Sequence, residues 1–279
     1  MRKLSLVLFA CCALAIHAQN ATPAPDAPPQ SSASAPTANA AQDQSTAKAR
    51  AALDAMVTAL GGDRWLAIQN AYSAGRIAAF FQGKPTGGTV QFWDWKTSTD
   101  ERLDLDEKAH DRQKWIQIYT EKQCWEITYK GKRATPKIEI DDYLRRRNHS
   151  VDAVARIWMK DPGALYIYGG QEQVERRLAD KITILSSTND NVTLDLDASS
   201  HLPVRRSFEW RDPIYKDKNL EGEEYDDYHK FNGISTPFST TRYHNGDMTN
   251  QRFLYNVVYG GAIPPDMFDV DAAVRKLKK

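Results

Sequence analysis

The sequence predicts a mainly β fold with some helix: a strongly curved antiparallel sheet, or half-open barrel, of about ten to twelve strands closed by helices. From residue 70 onward, apolar residues recur with a period of two, and hairpin-type turns such as Asn189-Asp190-Asn191 separate the runs. Successive runs start only about 8 to 14 residues apart, too close for the helical crossovers that parallel strands require. A sheet this large must curl or close.

Composition excludes several classes of function. The 279 residues include 37 basic and 36 acidic side chains, a net charge of +1, so neither a nucleic-acid footprint nor a polybasic membrane patch is present. Three cysteines cannot form a disulfide framework. The sequence contains no G-x-S-x-G, H-E-x-x-H, C-x-x-C or P-loop motif, so it predicts no enzyme, no metal site and no cofactor.

The N-terminus has the features of an export signal. Residues 1–19 begin with Arg2 and Lys3 and continue into the apolar run 4–16, which is too short for a permanent transmembrane helix. We therefore predict a cleaved signal peptide and a periplasmic protein. Lipidation at Cys11, within a loose lipoprotein-box pattern, is the alternative.

The remaining chain divides into a tether and one domain. Residues 20–45 are rich in Pro, Ala, Ser and Gln and cannot bury enough apolar surface to fold, so we predict a disordered tether. Residues 46–279 then form a single β domain. It opens with a helix that ends at Gly61-Gly62, and a helical insertion interrupts the strands near residues 140–160.

Aromatic residues suggest a binding cavity. Several strands have apolar or aromatic side chains on both faces, whereas a sheet with one face in water shows cleaner alternation. One interpretation is a small barrel around an apolar pocket; the alternative for each residue by itself is ordinary core filling. The candidate wall residues are Phe80, Phe92, Trp93, Trp95, Trp115, Trp125 and Tyr129.

Two charged runs have a functional and a structural interpretation. The acidic run 221–229 offers carboxylate oxygens for calcium but lacks EF-hand spacing, which favours an exposed strand face. Residues 145–147 are three consecutive arginines on the predicted middle helix. They offer charge for an anionic headgroup, but a solvated helix face is the favoured interpretation, with at least one arginine facing water.

A resemblance emerges from the order of several segments. ALGGDRWLAIQN, AYSAGRI, VTLDLDASSHLPVRR, YDDYHKFNGISTPFSTTRYHNG and IPPDMFDVD follow one another along the chain. Together, over most of residues 46–270, they resemble bacterial periplasmic proteins of the outer-membrane lipoprotein-sorting type with the LolA/LolB-like fold. The resemblance implies a half-open antiparallel barrel closed by helices, with an apolar cavity for acyl chains. The disordered leader and the helical insertion distinguish this chain from the well-known carriers.

We therefore predict a periplasmic binding or carrier protein for the acyl chains of lipids or lipoproteins, peripheral to the membrane rather than spanning it. Its expected partners are a hydrophobic ligand and an envelope protein, with no nucleic acid. The alternative is a non-catalytic envelope scaffold. In that case its own side chains would fill the barrel, and an edge strand would bind a protein partner.

Overall fold

The computed structural model describes residues 38–106 and 114–277, which form one fourteen-stranded antiparallel sheet and five α-helices. The first seven strands are β1 (Asn70–Phe81), β2 (Lys84–Pro85), β3 (Val90–Thr97), β4 (Glu101–Asp106), β5 (Lys114–Tyr119), β6 (Cys124–Thr128) and β7 (Gly131–Ala134). The other seven are β8 (Leu165–Val174), β9 (Arg177–Leu185), β10 (Asn191–Asp197), β11 (Pro203–Arg211), β12 (Lys218–Phe231), β13 (Ile234–His244) and β14 (Asp247–Tyr259).

The helices are α1 (Ala38–Leu60), α2 (Asp63–Leu66), α3 (Lys137–Asn148), α4 (Val151–Arg156) and α5 (Val270–Leu277), with a 3₁₀ turn at Trp158–Lys160. The predicted signal peptide and Cys11 lie outside the described residues.

The strand order is β7-β6-β5-β4-β3-β1-β14-β13-β12-β11-β10-β9-β8, with β2 paired to β1 off this path. The sheet therefore consists of two meanders that meet where β1 pairs with β14. It is curved and, in the described part of the chain, unclosed, because neither β7 nor β8 pairs with a further strand. The predicted fold class is confirmed, with fourteen strands rather than the ten to twelve expected.

Strand register assigns every side chain to one of two faces. Face A includes Phe92, Asp94, Glu223 and Leu194; face B includes Trp93, Trp95, Ile118 and Trp125. Helices α1, α3 and α4 lie on face A, whereas α5 packs on face B. The sheet is therefore covered on both sides, and this explains why so many strands are apolar on both faces.

The main core lies between α1 and the strands β8–β10. Leu53 and Met56 are fully buried against Ile182, Ile184 and Leu194, with Trp158 at the edge of the cluster. These helix residues recur at a spacing of three, so they share one side of α1. A second cluster on face B joins Ile116, Ile118 and Ile127 to Val270 and Ala273 of α5.

The predicted insertion near residues 140–160 consists of α3, α4 and the 3₁₀ turn rather than one continuous helix. The break falls at Ser150, whose side chain accepts a hydrogen bond from the Ala153 amide at 3.1 Å and so caps α4. These helices connect β7 at one edge of the sheet to β8 at the other. In doing so they cross face A.

Helix α1 begins at Ala38 rather than at residue 46, so the last eight residues of the predicted tether are helical. Alanine is the best helix former, and this stretch is also tied to the sheet. The Ser45 hydroxyl accepts the Tyr168 amide at 2.9 Å, and the Thr46 hydroxyl donates to the Tyr166 carbonyl at 3.2 Å. Tyr166 and Tyr168 belong to edge strand β8, so α1 also satisfies backbone groups that an edge leaves open.

We expect the double substitution Ser45→Ala with Thr46→Val to lower the free energy of unfolding by about 1–3 kcal/mol, because two hydrogen bonds to the edge strand are lost. Chemical denaturation measures the change. Thr58→Val is the matched control, since the Thr58 hydroxyl bonds only within α1, to the Asp54 carbonyl at 2.9 Å. Equal effects of the two variants would show that the contacts with β8 contribute nothing.

Candidate functional site

An apolar pocket of about 390 Å³ opens on face B beside strands β1, β3 and β14. Its size falls within the range of small-molecule sites. Most of its lining is aromatic or aliphatic, with one amide side chain. The lining residues are Asn70, Tyr72, Trp95, Val258, Gly261, Ala262 and Ile263.

The pairing of β1 with β3 and β14 places the residues of the pocket floor next to one another. Tyr72 pairs with Trp95 of β3 on one side and with Val258 of β14 on the other, so the three side chains are neighbours on one face. The rings of Tyr72 and Trp95 are 5.2 Å apart and tilted by 42°. Burial and, to a lesser degree, the neighbouring Tyr255 raise the pKa of Tyr72, so its phenol stays protonated and uncharged at neutral pH.

The outer wall is the chain that leaves β14. The Gly260 amide donates to the Asn70 carbonyl at 3.0 Å, which holds this segment over the start of β1. A Cβ at Gly261 would lie 3.2 Å from Val258, so a larger residue there would crowd the pocket floor. Further on, Arg102 donates to the Met267 carbonyl at 3.0 Å and is itself held by both oxygens of Asp104.

The seven predicted wall residues do not share one face of the sheet. Trp93, Trp95 and Trp125 lie on face B, whereas Phe92 and Trp115 lie on face A. Phe80 belongs to the β1–β2 hairpin, and Tyr129 lies in the turn after β6 with 56% of its surface exposed. Trp95 alone among the seven lines the described pocket. Tyr72, Val258 and Ile263 were not predicted, because their proximity depends on the pairing of β1 with β14.

Beside α3, face A presents charged rather than apolar side chains. A group of ionised side chains lies there, which we call the charged cluster: Asp94, Lys96, Glu101, Arg206, Glu223, Arg242 and Arg252. Glu223 is at its centre, 2.9 Å from Arg206 and 2.8 Å from Arg242. Burial opposes its ionisation, but Arg242 and Arg206 outweigh burial and hold the pKa of Glu223 well below its usual range.

The cluster changes the interpretation of one residue in the acidic run, whereas Asp226 and Asp227 are exposed as predicted. Glu223, within the acidic run 221–229, is 8% exposed rather than on a solvated strand face, because β11 and β13 place an arginine on each side of it. The described residues contain no group of three or more acidic, His or Cys side chains placed to hold a metal ion.

All three arginines of α3 are partly buried, so they do not form a fully solvated helix face. The Arg145 guanidinium lies 3.5 Å from the centre of the Trp210 ring and pairs with Asp142. Arg147 donates to the carbonyls of Thr99 and Ser98. Helix α3 packs on face A, so its arginines contact the sheet and its loops rather than water alone.

Comparison with solved structures identifies the fold. A putative outer membrane lipoprotein-sorting protein domain from Vibrio parahaemolyticus superposes with a TM-score of 0.50 at 7% identity, covering 84% of this chain and 100% of that one. The chain has the fold of this lipoprotein-sorting domain. The resemblance inferred from the sequence segments is thus confirmed at the level of the fold.

Two further structures are similar to this chain. A LolA superfamily protein from Nitrosomonas europaea has a TM-score of 0.49 at 12% identity, covering 80% of this chain and 98% of its own. A DUF1329 family protein from Desulfovibrio piger has a TM-score of 0.48 at 12% identity, with the same coverage.

No family model and no curated protein matches the sequence. Of the helices in the described ranges, none has the length and apolar character needed to cross a bilayer.

Proposed function

We propose that this protein is a periplasmic carrier that binds the acyl chain of a lipid or lipoprotein in the pocket beside Trp95. The observation that supports the proposal is the pocket itself, about 390 Å³ in volume and walled by Tyr72, Trp95, Val258 and Ile263. Each methylene group transferred from water into such a site contributes about 0.8 kcal/mol. A chain of several methylenes would therefore bind without any specific polar contact.

The pocket favours a chain-shaped, uncharged ligand segment. Its walls offer two aromatic rings and three aliphatic side chains, and the one amide, Asn70, fits the polar end of a ligand rather than its chain. Tyr72 is the one titratable residue among the described lining residues, and burial keeps it protonated. We therefore propose binding without catalysis.

The proposed compartment rests on the predicted signal peptide in residues 1–19. The alternative role, a scaffold that binds a protein through an edge strand, has less support. Edge strand β7 is only four residues long and contains Lys132 and Arg133, and the edge of β8 is partly occupied by Ser45 and Thr46. Short, charged and covered edges are features that prevent strand addition.

We expect Trp95→Ala to weaken the binding of palmitate by about tenfold, because the largest apolar surface of the pocket is removed. Delipidated protein titrated with palmitate, and native mass spectrometry of protein purified from a membrane-containing host, measure the effect. Trp115→Ala is the matched control, since Trp115 lies on face A and is 39% exposed.

Binding that is unchanged by Trp95→Ala would place the acyl chain elsewhere. Delipidated wild-type protein that takes up no palmitate would end the carrier proposal.

A further inference from the structure

The three strands that form the pocket floor carry further aromatic side chains beyond it on face B. Trp93 of β3 pairs with Ala74 of β1, and Ala74 pairs with Asn256 of β14, so these residues form one row across the face. This row is the next one along from Tyr72 and Val258 of the pocket floor. The surface around it therefore borders the pocket.

Tyr255 extends across this surface. It is the extra residue of β14 at the register shift between Ala74 and Gly75, and its hydroxyl accepts a hydrogen bond from the side-chain amide of Gln91 on β3. Strand β1 lies between β14 and β3, which are therefore about 10 Å apart. A side chain that bonds across a whole strand must extend along the sheet rather than away from it. The ring is therefore held at both ends, by its own backbone and by Gln91.

The Tyr255 ring is anchored and yet open to solvent. The residue is 53% exposed, and Phe253 on the same face is 42% exposed, whereas Ala74 of the middle strand is only 1% exposed. Because Ala74 has no more than a methyl group, its burial means that larger side chains of the neighbouring strands close over it. A ring that is already fixed in place offers a stacking surface at little further cost in side-chain entropy.

Uncharged polar groups surround this ring. Gln91 uses its amide nitrogen for Tyr255, which leaves the amide oxygen as an acceptor and the tyrosine hydroxyl hydrogen as a donor. Asn256, and Asn70 at the pocket, are at least partly exposed, and their side-chain amides have no hydrogen-bond partner among the residues that the structure describes. A ligand on Tyr255 therefore finds both donors and acceptors beside it.

Charges of both signs border the surface. Of the described residues in these rows, Arg76 and Lys114 are basic, Asp106 is acidic, and Arg102 and Asp104 neutralise each other. A cationic ligand would be repelled by the first two side chains, and an anionic ligand by Asp106. The surface therefore favours a neutral ligand over an ion.

We propose that the surface around Tyr255 binds a neutral sugar ring, which stacks on Tyr255 and bonds Gln91 and Asn256 through its hydroxyl groups. A sugar ring has C–H groups that pack against the negative face of an aromatic ring, and hydroxyl groups at its rim that both donate and accept hydrogen bonds. The sugar belongs either to a free saccharide or to the headgroup of an amphiphile whose chain enters the adjoining pocket. The second source rests on the proposed carrier function, whereas the first does not.

Titration calorimetry with four probes tests the proposal. Cellohexaose is a free saccharide, whereas octyl β-glucoside, 1-octanol and octyltrimethylammonium share one alkyl chain and differ in their headgroups. We expect octyl β-glucoside to bind the wild-type protein about tenfold more tightly than octanol does. Tyr255→Ala should remove that advantage and leave octanol binding unchanged. Asn256→Ala, at an exposed position, should reduce the advantage as well.

Tyr215→Ala is the matched control. Tyr215 is 77% exposed and lies in the turn between β11 and β12, away from the three strands that form the surface. This substitution removes the same ring elsewhere, so binding of the glucoside should change less than about twofold.

The probes also separate this proposal from the carrier function. Cellohexaose binding that depends on Tyr255 supports a free saccharide, whether or not octanol binds, and a glucoside advantage without cellohexaose binding supports a headgroup. Three results would overturn the proposal. In the first, octanol binds as tightly as the glucoside and cellohexaose does not bind. In the second, the glucoside advantage survives both Tyr255→Ala and Asn256→Ala, or Tyr215→Ala reduces it equally. In the third, binding of octyltrimethylammonium depends on Tyr255 as strongly as that of the glucoside.

Discussion

Substituting Glu223 by glutamine is expected to lower the free energy of unfolding by about 3–5 kcal/mol, because it leaves two arginines without their common carboxylate. Arg206 is 2% exposed and cannot recover its lost partner from water. Glutamine preserves the shape of the side chain, so the loss measures charge rather than packing. Urea unfolding at neutral pH gives the value.

Acid should reproduce this loss in the wild-type protein. Arg242 and Arg206 outweigh burial and hold the pKa of Glu223 below its ordinary value, so the stability it contributes is complete above the unfolded-state pKa of about 4.3. That contribution disappears as the pH falls from there toward the lower pKa of the folded state. The free energy of unfolding of Glu223→Gln should therefore fall less between neutral and acid pH than that of the wild type.

Glu209→Gln is the control for both experiments. Glu209 lies on β11 with its side chain 57% exposed and 3.6 Å from Lys218, so its loss should change stability by less than about 1 kcal/mol. If both glutamine variants were equally stable, Glu223 would not be the centre of a structural cluster.

Alanine at Gly75 is expected to cost about 3 kcal/mol or more, because the added methyl group would overlap the backbone of the neighbouring strand. A Cβ at this position would collide with the carbonyl oxygen of Phe253 and lie 2.8 Å from Cε1 of Phe92, which is fully buried. Neither atom belongs to a flexible side-chain end. Gly75 also marks the register shift between β1 and β14, so the two meanders would have to separate to admit the methyl group.

Gly88→Ala provides the comparison. A Cβ there meets no atom within 4 Å, so the substitution should be neutral or stabilise by a few tenths of a kcal/mol through the unfolded chain. Thermal unfolding of both variants, followed by circular dichroism, measures the difference. Equal melting temperatures would mean that β1 and β14 do not approach each other at Gly75.

Local patterns predicted much of the fold. Alternating residues predict strands over 192–197 and 204–211, and these appear as β10 (Asn191–Asp197) and β11 (Pro203–Arg211). Alternation and turn residues are properties of neighbouring positions, so sequence alone can find them. Where a turn lacked its usual signal, the prediction failed. Residue pattern also predicts a strand over 173–177, but these residues span the hairpin between β8 and β9, where Glu175 adopts a positive φ of 53°. Without a Gly or Asn there, nothing in the sequence marked the turn.

The candidate sites were less predictable, because they depend on long-range pairing. Tyr72 and Val258 form the pocket floor only because β1 and β14 are neighbours. Glu223 and Arg206 look like surface charges when each strand is considered alone. The aromatic residues predicted Trp95 as part of an apolar pocket, but they gave no information on which face each ring occupies.

The pairing of β1 with β14 also has a consequence for the order of folding. Each meander is built from hairpins between consecutive strands, which close short loops at low entropic cost. Joining Ala71 to Tyr259, by contrast, brings together the two ends of the domain and raises its contact order. A chain emerging N-terminus first would hold one side of β1 unpaired until its final strand is available. We therefore expect the pairing of β1 with β14 to limit the folding rate of the domain.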